Sequence, residues 1–281
     1  MENILLYDCS TIIKGIVKNR PSKIIKSPYV ADVLLEDDTE ILAHSPSLGC
    51  CGLSNSNAHV YLTKNTNPNT KTSHRIELAI FKETHNDFYN EEIIGINPKI
   101  TEKIGIEAIK KNCIPGLEDI KLLQTEKKFG NSRFDVCGID KNNNDFILEI
   151  KSVPLADYVD CISKERNEHI DSINSKKWNE KIAYFPDGYR KNKNDPISPR
   201  ALKHIEELEK ISLEGKYNCY LLFIIQRTDV NCFQTSNIDP IYKEAVSKAS
   251  KNGVNIIVLQ VNWNKEHGKA YFYSNKLPIY L

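Results

Sequence analysis

Residues 129–152, FGNSRFDVCGIDKNNNDFILEIKS, hold an aspartate, a polar stretch, and then an acid and a base two positions apart: Asp135, Glu149 and Lys151. In a strand, residues two apart project from one face. Glu149 and Lys151 therefore stand together while Phe146, Leu148 and Ile150 turn to the other side. Antiparallel pairing through the Asn- and Lys-rich turn at 140–145 brings Asp135 beside Glu149. Two carboxylates so placed repel each other unless a cation lies between them. Hard oxygen ligands with open positions suit Mg²⁺ or Mn²⁺, which makes Asp135 and Glu149 the candidate metal ligands. Such an ion activates a bound water and polarises a phosphate, and Lys151 can orient that water or stabilise the charged transition state. The plain alternative is a solvated strand face with an ordinary Glu–Lys pair, since this spacing recurs by chance in many chains.

The elements around these residues fall into two parts. YVADVLLEDDTEILAHSP alternates apolar and polar positions around Asp37–Asp38, as an antiparallel hairpin does. AHVYLTKNTNPNTKTSHRIELAIF repeats the pattern around an Asn/Pro/Thr turn. Short strands at this spacing predict a small barrel or sandwich over residues 1–88, with residues 1–20 pairing onto it, and an oligonucleotide/oligosaccharide-binding (OB-like) barrel fits the size. After the polar KETHNDFYNEE the periodicity changes. TEKIGIEAIKKN predicts a helix capped by Thr101, followed by strands near 120–126, 133–139 and 146–150. SPRALKHIEELEKIS and DPIYKEAVSKASKNG each put a proline at the first helical position. CYLLFIIQ and VNIIVLQV read as buried parallel strands. The second domain, 89–281, is thus α/β, and the whole is an α+β and α/β composite. A polar tract at about 155–200 reads as an insertion, either a helical lid or a loop.

Composition limits the function classes. The 281 residues carry a formal net charge of +1, so any nucleic-acid binding must come from a local patch. The longest strongly apolar stretch, Tyr220 to Ile225, is far too short to cross a bilayer, and Asp8 interrupts the first apolar run. The expectation is a soluble intracellular protein with no membrane partner. The cysteines form no Cys-x-x-Cys pair and read as reduced thiols. A zinc site from His44, Cys50, Cys51 and His59 lacks the usual ligand spacing. No local motif pairs a cysteine or histidine as nucleophile and base.

IGIEAIKKNCIPGLEDIKLLQTEKKFGNSRFDVCGI, LEIKSV, FPDG, RALKHIEEL and LLFIIQRTDVNCFQTSNIDPIYKEAVSKASKNGV occur in an order that resembles the sugar fermentation stimulation protein A family. YVADV, AHSPSLG and NPNTK echo it more faintly in the first part. The resemblance implies an OB-like barrel joined to a PD-(D/E)xK, restriction-endonuclease-like domain, with DNA binding and nuclease activity. It makes Asp135 and Glu149 the metal carboxylates and Lys151 the motif lysine, with Glu107 or Glu126 as a supporting acid. Ser132 and Arg133 fall in the family's Ser-Arg-x-Asp element, where Arg133 either forks onto a phosphate or makes a structural ion pair. The chain departs from the family at HSPSLGCCGL, at Ala201 in place of a glycine, and in the insertion at 157–184.

Lys14, Lys18, Arg20, Lys23 and Lys26 form a basic run near the barrel, and Lys64 and Lys71 flank its later turn. Such residues neutralise phosphates of DNA, or of RNA, without reading sequence. Tyr29, Tyr61 and Phe81 either stack bases or fill the barrel core. Two functions follow from different classes: a Mg²⁺- or Mn²⁺-dependent nuclease, or a non-catalytic DNA-binding regulatory or architectural protein on the same scaffold.

Overall fold

Alternation of apolar and polar residues carries most of this fold. The computed structural model describes residues 3–46, 52–67, 69–129, 132–162, 164–186 and 197–281. After β1 (Leu5–Asp8) come β2 (Ile13–Asn19), β3 (Val30–Leu35), β4 (Glu40–His44), β5 (His59–Lys64), β6 (His74–His85) and β7 (Phe88–Gly95). β2 to β7 form a six-stranded sheet of order β4-β3-β2-β5-β6-β7. β4 also pairs with β6, Ala43 against His74, which closes the first five strands on themselves. Inward residues such as Val17, Val33, Val60 and Ile76 fill the enclosed core. β7 pairs with β6 as far as Gly95, so the sheet runs past residue 88.

Of the two strands in residues 1–20, β2 joins this sheet as expected and β1 does not. It pairs with β16 (Lys269–Ser274) at the edge of a seven-stranded sheet of order β1-β16-β15-β13-β10-β9-β8. The other members are β8 (Leu122–Phe129), β9 (Ser132–Ile139), β10 (Asp145–Val153), β13 (Asn218–Ile225) and β15 (Asn255–Asn264). β10, β13 and β15 run parallel, as their continuous apolar runs require, because both faces are covered. α1 (Pro98–Lys110) packs Ile104 and Ala108 with Leu148, Ile150, Leu222 and Ile224. On the opposite face α3 (Pro199–Leu213) and α4 (Pro240–Lys251) pack with Ile147, Leu221, Phe223 and Ile225. Neighbouring residues of β10 and β13 thus enter opposite cores, as a period of two demands.

α1 is capped four residues before the expected Thr101. The side chain of Asn97 caps Lys99 N, and Pro98 supplies the first helical position. Thr101 is buried inside the helix and donates to Ser152 Oγ at 2.9 Å.

The polar tract at 155–200 is a small layer of its own in its described part. β11 (Ala156–Asp157), β12 (Lys181–Phe185), β14 (Val230–Thr235) and β17 (Ile279–Tyr280) form a four-stranded sheet. Between β11 and β12 the chain passes through α2 (Ile170–Asn174) and docks on the β6–β7 hairpin. Trp178 stacks on Phe88 with ring centroids 4.9 Å apart, and His85 Nε2 meets the Lys176 carbonyl at 2.8 Å. Trp178→Ala should therefore cost about 1–2 kcal/mol of stability, the scale of one aromatic pair plus its burial. It should also open new protease cuts between 164 and 180. Unchanged protease resistance would show that the stack does not hold this segment.

The two sheets are also joined by buried charge. Lys181, 1% exposed, lies against Glu83 of β6 and donates to Asp229 at 2.6 Å. Arg227 forks onto Asp229 at 2.6 and 2.7 Å. Both cations sit on the Phe81 ring, 5.4 and 5.0 Å from its centroid. Phe81 is therefore interface packing and no platform for bases. Each buried charge has a partner, which offsets its desolvation.

Candidate metal centre

Glu149 is buried, 3% exposed, in the middle of β10 between Leu148 and Ile150. It is tolerable there because Lys151 and His204 both meet it. Lys151 Nζ donates to Oε1 at 2.6 Å, and Nδ1 of His204, reaching from α3, lies against the same oxygen. Burial pushes the Glu149 carboxyl up, but Lys151 and His204 outweigh that and hold it below the usual range. Its second oxygen, Oε2, is buried with no hydrogen-bond partner. A buried carboxylate oxygen left unpaired is expensive, and such an atom needs a ligand to explain it.

Asp135 stands beside it. The β9–β10 ladder runs to Val136 against Leu148, and beyond it the Ile150 amide donates to Asp135 Oδ2 at 2.7 Å. Burial first, and then the charge of Glu149, push the Asp135 carboxyl up to about 7. The two carboxylates are thus held at a separation that penalises double ionisation, which a divalent cation would relieve.

Asp135, Glu149 and Lys151 line one cleft of about 380 Å³, as the spacing predicts. Glu102 from α1 and Arg200 from α3 line it too, with Tyr184 of β12 forming part of the wall. Burial, and then Glu126 and Glu149, push the Glu102 carboxyl up. Glu107 is not in the cleft. It pairs with Lys110 and Lys111 at 3.7 and 3.5 Å, on a surface groove beside β1. The five-residue offset from Glu102 turns it about 140° around the helix. Glu102 is therefore the acid of α1 that faces the site. Glu126 lies in β8 between the pairs Thr125–Val136 and Lys127–Phe134, which sets it opposite Asp135. Its carboxylate nevertheless turns out to Arg133 at 2.9 Å, both side chains exposed, and it does not line the cleft. His204, missed by motif reasoning, was visible only as the histidine of RALKHIEEL.

The expected nucleic-acid residues lie elsewhere. None of Lys14, Lys18, Arg20, Lys23, Lys26, Lys64 and Lys71 lines the cleft. Lys18, Lys23, Lys26, Lys64 and Lys71 are exposed, whereas Lys14 faces Glu36 at 3.9 Å. Arg20 is structural: it donates to the Pro28 carbonyl at 2.9 Å and to Ser54 Oγ. Ser132 is buried, 5% exposed, out of reach of a polymer, and Arg133 is engaged by Glu126. Tyr61 packs against the core, and exposed Tyr29 stacks on His44. Cys50 and Cys51 of the zinc idea fall outside the described residues.

The donor set fits a hard divalent ion. Among the described residues no group of three or more His, Cys, Asp and Glu is spaced to hold a metal, so no zinc-type cage exists there. Mg²⁺-type ions do not need one, since they take one or two carboxylates and keep waters or substrate oxygens in the remaining positions. Asp135 and the orphaned Oε2 of Glu149 are two such donors.

A family profile described as the sugar fermentation stimulation protein RE domain matches residues 99–267. A sugar fermentation stimulation protein homolog of Clostridium perfringens is 32% identical over 259 residues, covering 92% of this chain and 93% of its own. The chain belongs to the sugar fermentation stimulation protein family. A Bartonella henselae homolog is 29% identical over 245 residues, covering 85% of this chain and 88% of that one. The structure of Pyrococcus furiosus SfsA in complex with Ca²⁺ shares the fold, with a TM-score of 0.74, 19% identity, and coverage of 99% of this chain and 100% of that one. Every charged residue of the cleft named above falls inside the matched family segment. No helix of the described residues is long and apolar enough to cross a membrane.

Proposed function

We propose that this member of the family is a Mg²⁺- or Mn²⁺-dependent nuclease acting on DNA or RNA. In this reading the closed sheet at 13–95 is an OB-like barrel and the seven-stranded part is a PD-(D/E)xK-type domain. The observation that carries it is the buried, unpartnered Oε2 of Glu149 beside an Asp135 carboxyl displaced to about 7. The Ca²⁺ held by the Pyrococcus furiosus protein supports a divalent ion in a chain of the same fold.

A bound ion would polarise a phosphoryl oxygen and make a water more acidic. The chain's own residues set the stage. Lys151 and His204 fix Glu149 through Oε1, which leaves Oε2 free as a ligand. The Ile150 amide fixes Asp135. Lys151, with a side chain 12% exposed, keeps a positive charge at the cleft wall where negative charge builds on a phosphate under attack.

Labelled single-stranded DNA, duplex DNA and RNA, each incubated with Mg²⁺, Mn²⁺ or a chelator, test this directly. Cleavage that needs the metal is expected. Binding without cleavage of any substrate under either metal overturns the nuclease reading and leaves a non-catalytic binder.

A further inference from the structure

The cleft contains three carboxylates, Glu102, Asp135 and Glu149, against one lysine. One divalent ion would roughly neutralise it. A phosphodiester entering that space then needs positive charge from another source, and the basic run on the barrel does not reach it. The first turn of α3 does. Ser198, Arg200 and Ala201 all line the cleft, and α3 is 15 residues long. Ser198, at the cap position, makes no side-chain capping bond, and the helix carries no acid in its first turn. A helix end of this kind presents free amide N–H groups and the positive end of its dipole.

Two further observations point to a ligand here. Glu149, 3% exposed and with its Oε2 unpartnered, lines the same cleft. Arg200, exposed at the rim, makes no hydrogen bond or ion pair among the described residues, although its charge is felt at Glu102. Arg200 and His204 are one turn apart on one helix face, and His204 touches Glu149. Arg200 is thereby set about 6 Å along the axis from His204, the residue that meets the carboxylate that would hold the ion.

We propose that Arg200 and the N-terminus of α3 form the phosphate-holding arm of this site, gripping the nucleic-acid backbone beside the metal carboxylates. A guanidinium fork matches two phosphate oxygens, and the helix amides reach a third from below. This rests on the reading of the cleft as a nucleic-acid site, but its test is binding, not cleavage.

The probes are 5′-fluorescein-labelled dT12 and rU12, followed by anisotropy in Ca²⁺ across a series of salt concentrations. Arg200→Ala is expected to weaken binding of at least one of them about 10-fold or more, the scale of a lost charge-assisted bond, and to lower the salt slope by about one phosphate. Arg200→Lys should recover the slope but only part of the affinity, because it keeps the charge and loses the fork. Thermal shifts induced by Mn²⁺ without nucleic acid should match wild type, which reports an intact fold and metal site. Equal affinity and salt slope in wild type and Arg200→Ala overturn the arm, as does a wild type that binds neither probe. The nuclease reading fails separately: Arg200-dependent binding with no cleavage keeps the arm and removes the enzyme.

Discussion

Replacing both carboxylates, Asp135→Asn with Glu149→Gln, is expected to abolish the rise in melting temperature that the proposed site predicts for the wild-type protein in Mn²⁺, and to bring the proposed cleavage down to background. Anything that binds only the folded state stabilises it by mass action, about 2.7 kcal/mol at 100 times the dissociation constant. Without the two oxygen donors that term vanishes. The metal-free protein supplies a second readout. With the Asp135 carboxyl at about 7, the folded chain holds a proton that the unfolded chain has released between about pH 4 and 7. Stability must therefore be greatest below that window, fall as pH rises through it and level off above. The slope is at most about 1.4 kcal/mol per pH unit. Asp135→Asn alone removes this contribution. Because the ion competes with that proton, the Mn²⁺-induced shift should be larger at pH 8 than at pH 5. Equal metal shifts in wild type and double variant would sink the assignment of these carboxylates.

Lys151→Met will lower metal-dependent cleavage by about 10²–10³-fold, the scale for losing one electrostatic stabiliser of a transition state, while nucleic-acid affinity stays within a few-fold. Methionine keeps the stem and removes the charge. Lys151 also holds Oε1 of Glu149 at 2.6 Å, so the same change loosens that carboxylate. His204 remains on that oxygen, which is why the metal-induced thermal shift should persist, reduced, in Lys151→Met. Single-turnover cleavage and equilibrium binding on one substrate separate the two effects. Cleavage that survives the substitution unchanged would assign the chemistry to another group in the cleft.

The central triad was legible because strand geometry is local. A period of two places Glu149 and Lys151 together, and a short turn returns Asp135 to their side. The buried parallel strands and the proline-led helices α3 and α4 were legible for similar reasons of periodicity and capping. Glu102 was hidden because which acid of α1 faces the cleft is set by how the helix packs on the sheet through Ile104 and Ala108, a long-range contact. His204 was hidden because the contact to Glu149 joins residues 55 positions apart, across a tract whose length says nothing of its path. The barrel lysines looked functional by type alone, and sequence carries no record of which side of a closed sheet faces the cleft.

The edge strand β1 has a consequence for how this chain is made. Its partners lie at the other end of the polypeptide, Leu5 against Tyr271 and Asp8 against Lys269. The closed sheet at 13–95 is therefore threaded between two pieces of one larger sheet, like a bead on a loop whose two ends are knotted together. A ribosome adds about 5–20 residues per second, so the first strand emerges tens of seconds before anything it can pair with. Pairings this distant in sequence are slow to form because loop closure precedes any reward. The segment 3–8 should thus be the last edge to zip during synthesis, and trimming it should leave the barrel intact while baring β16 to other strands.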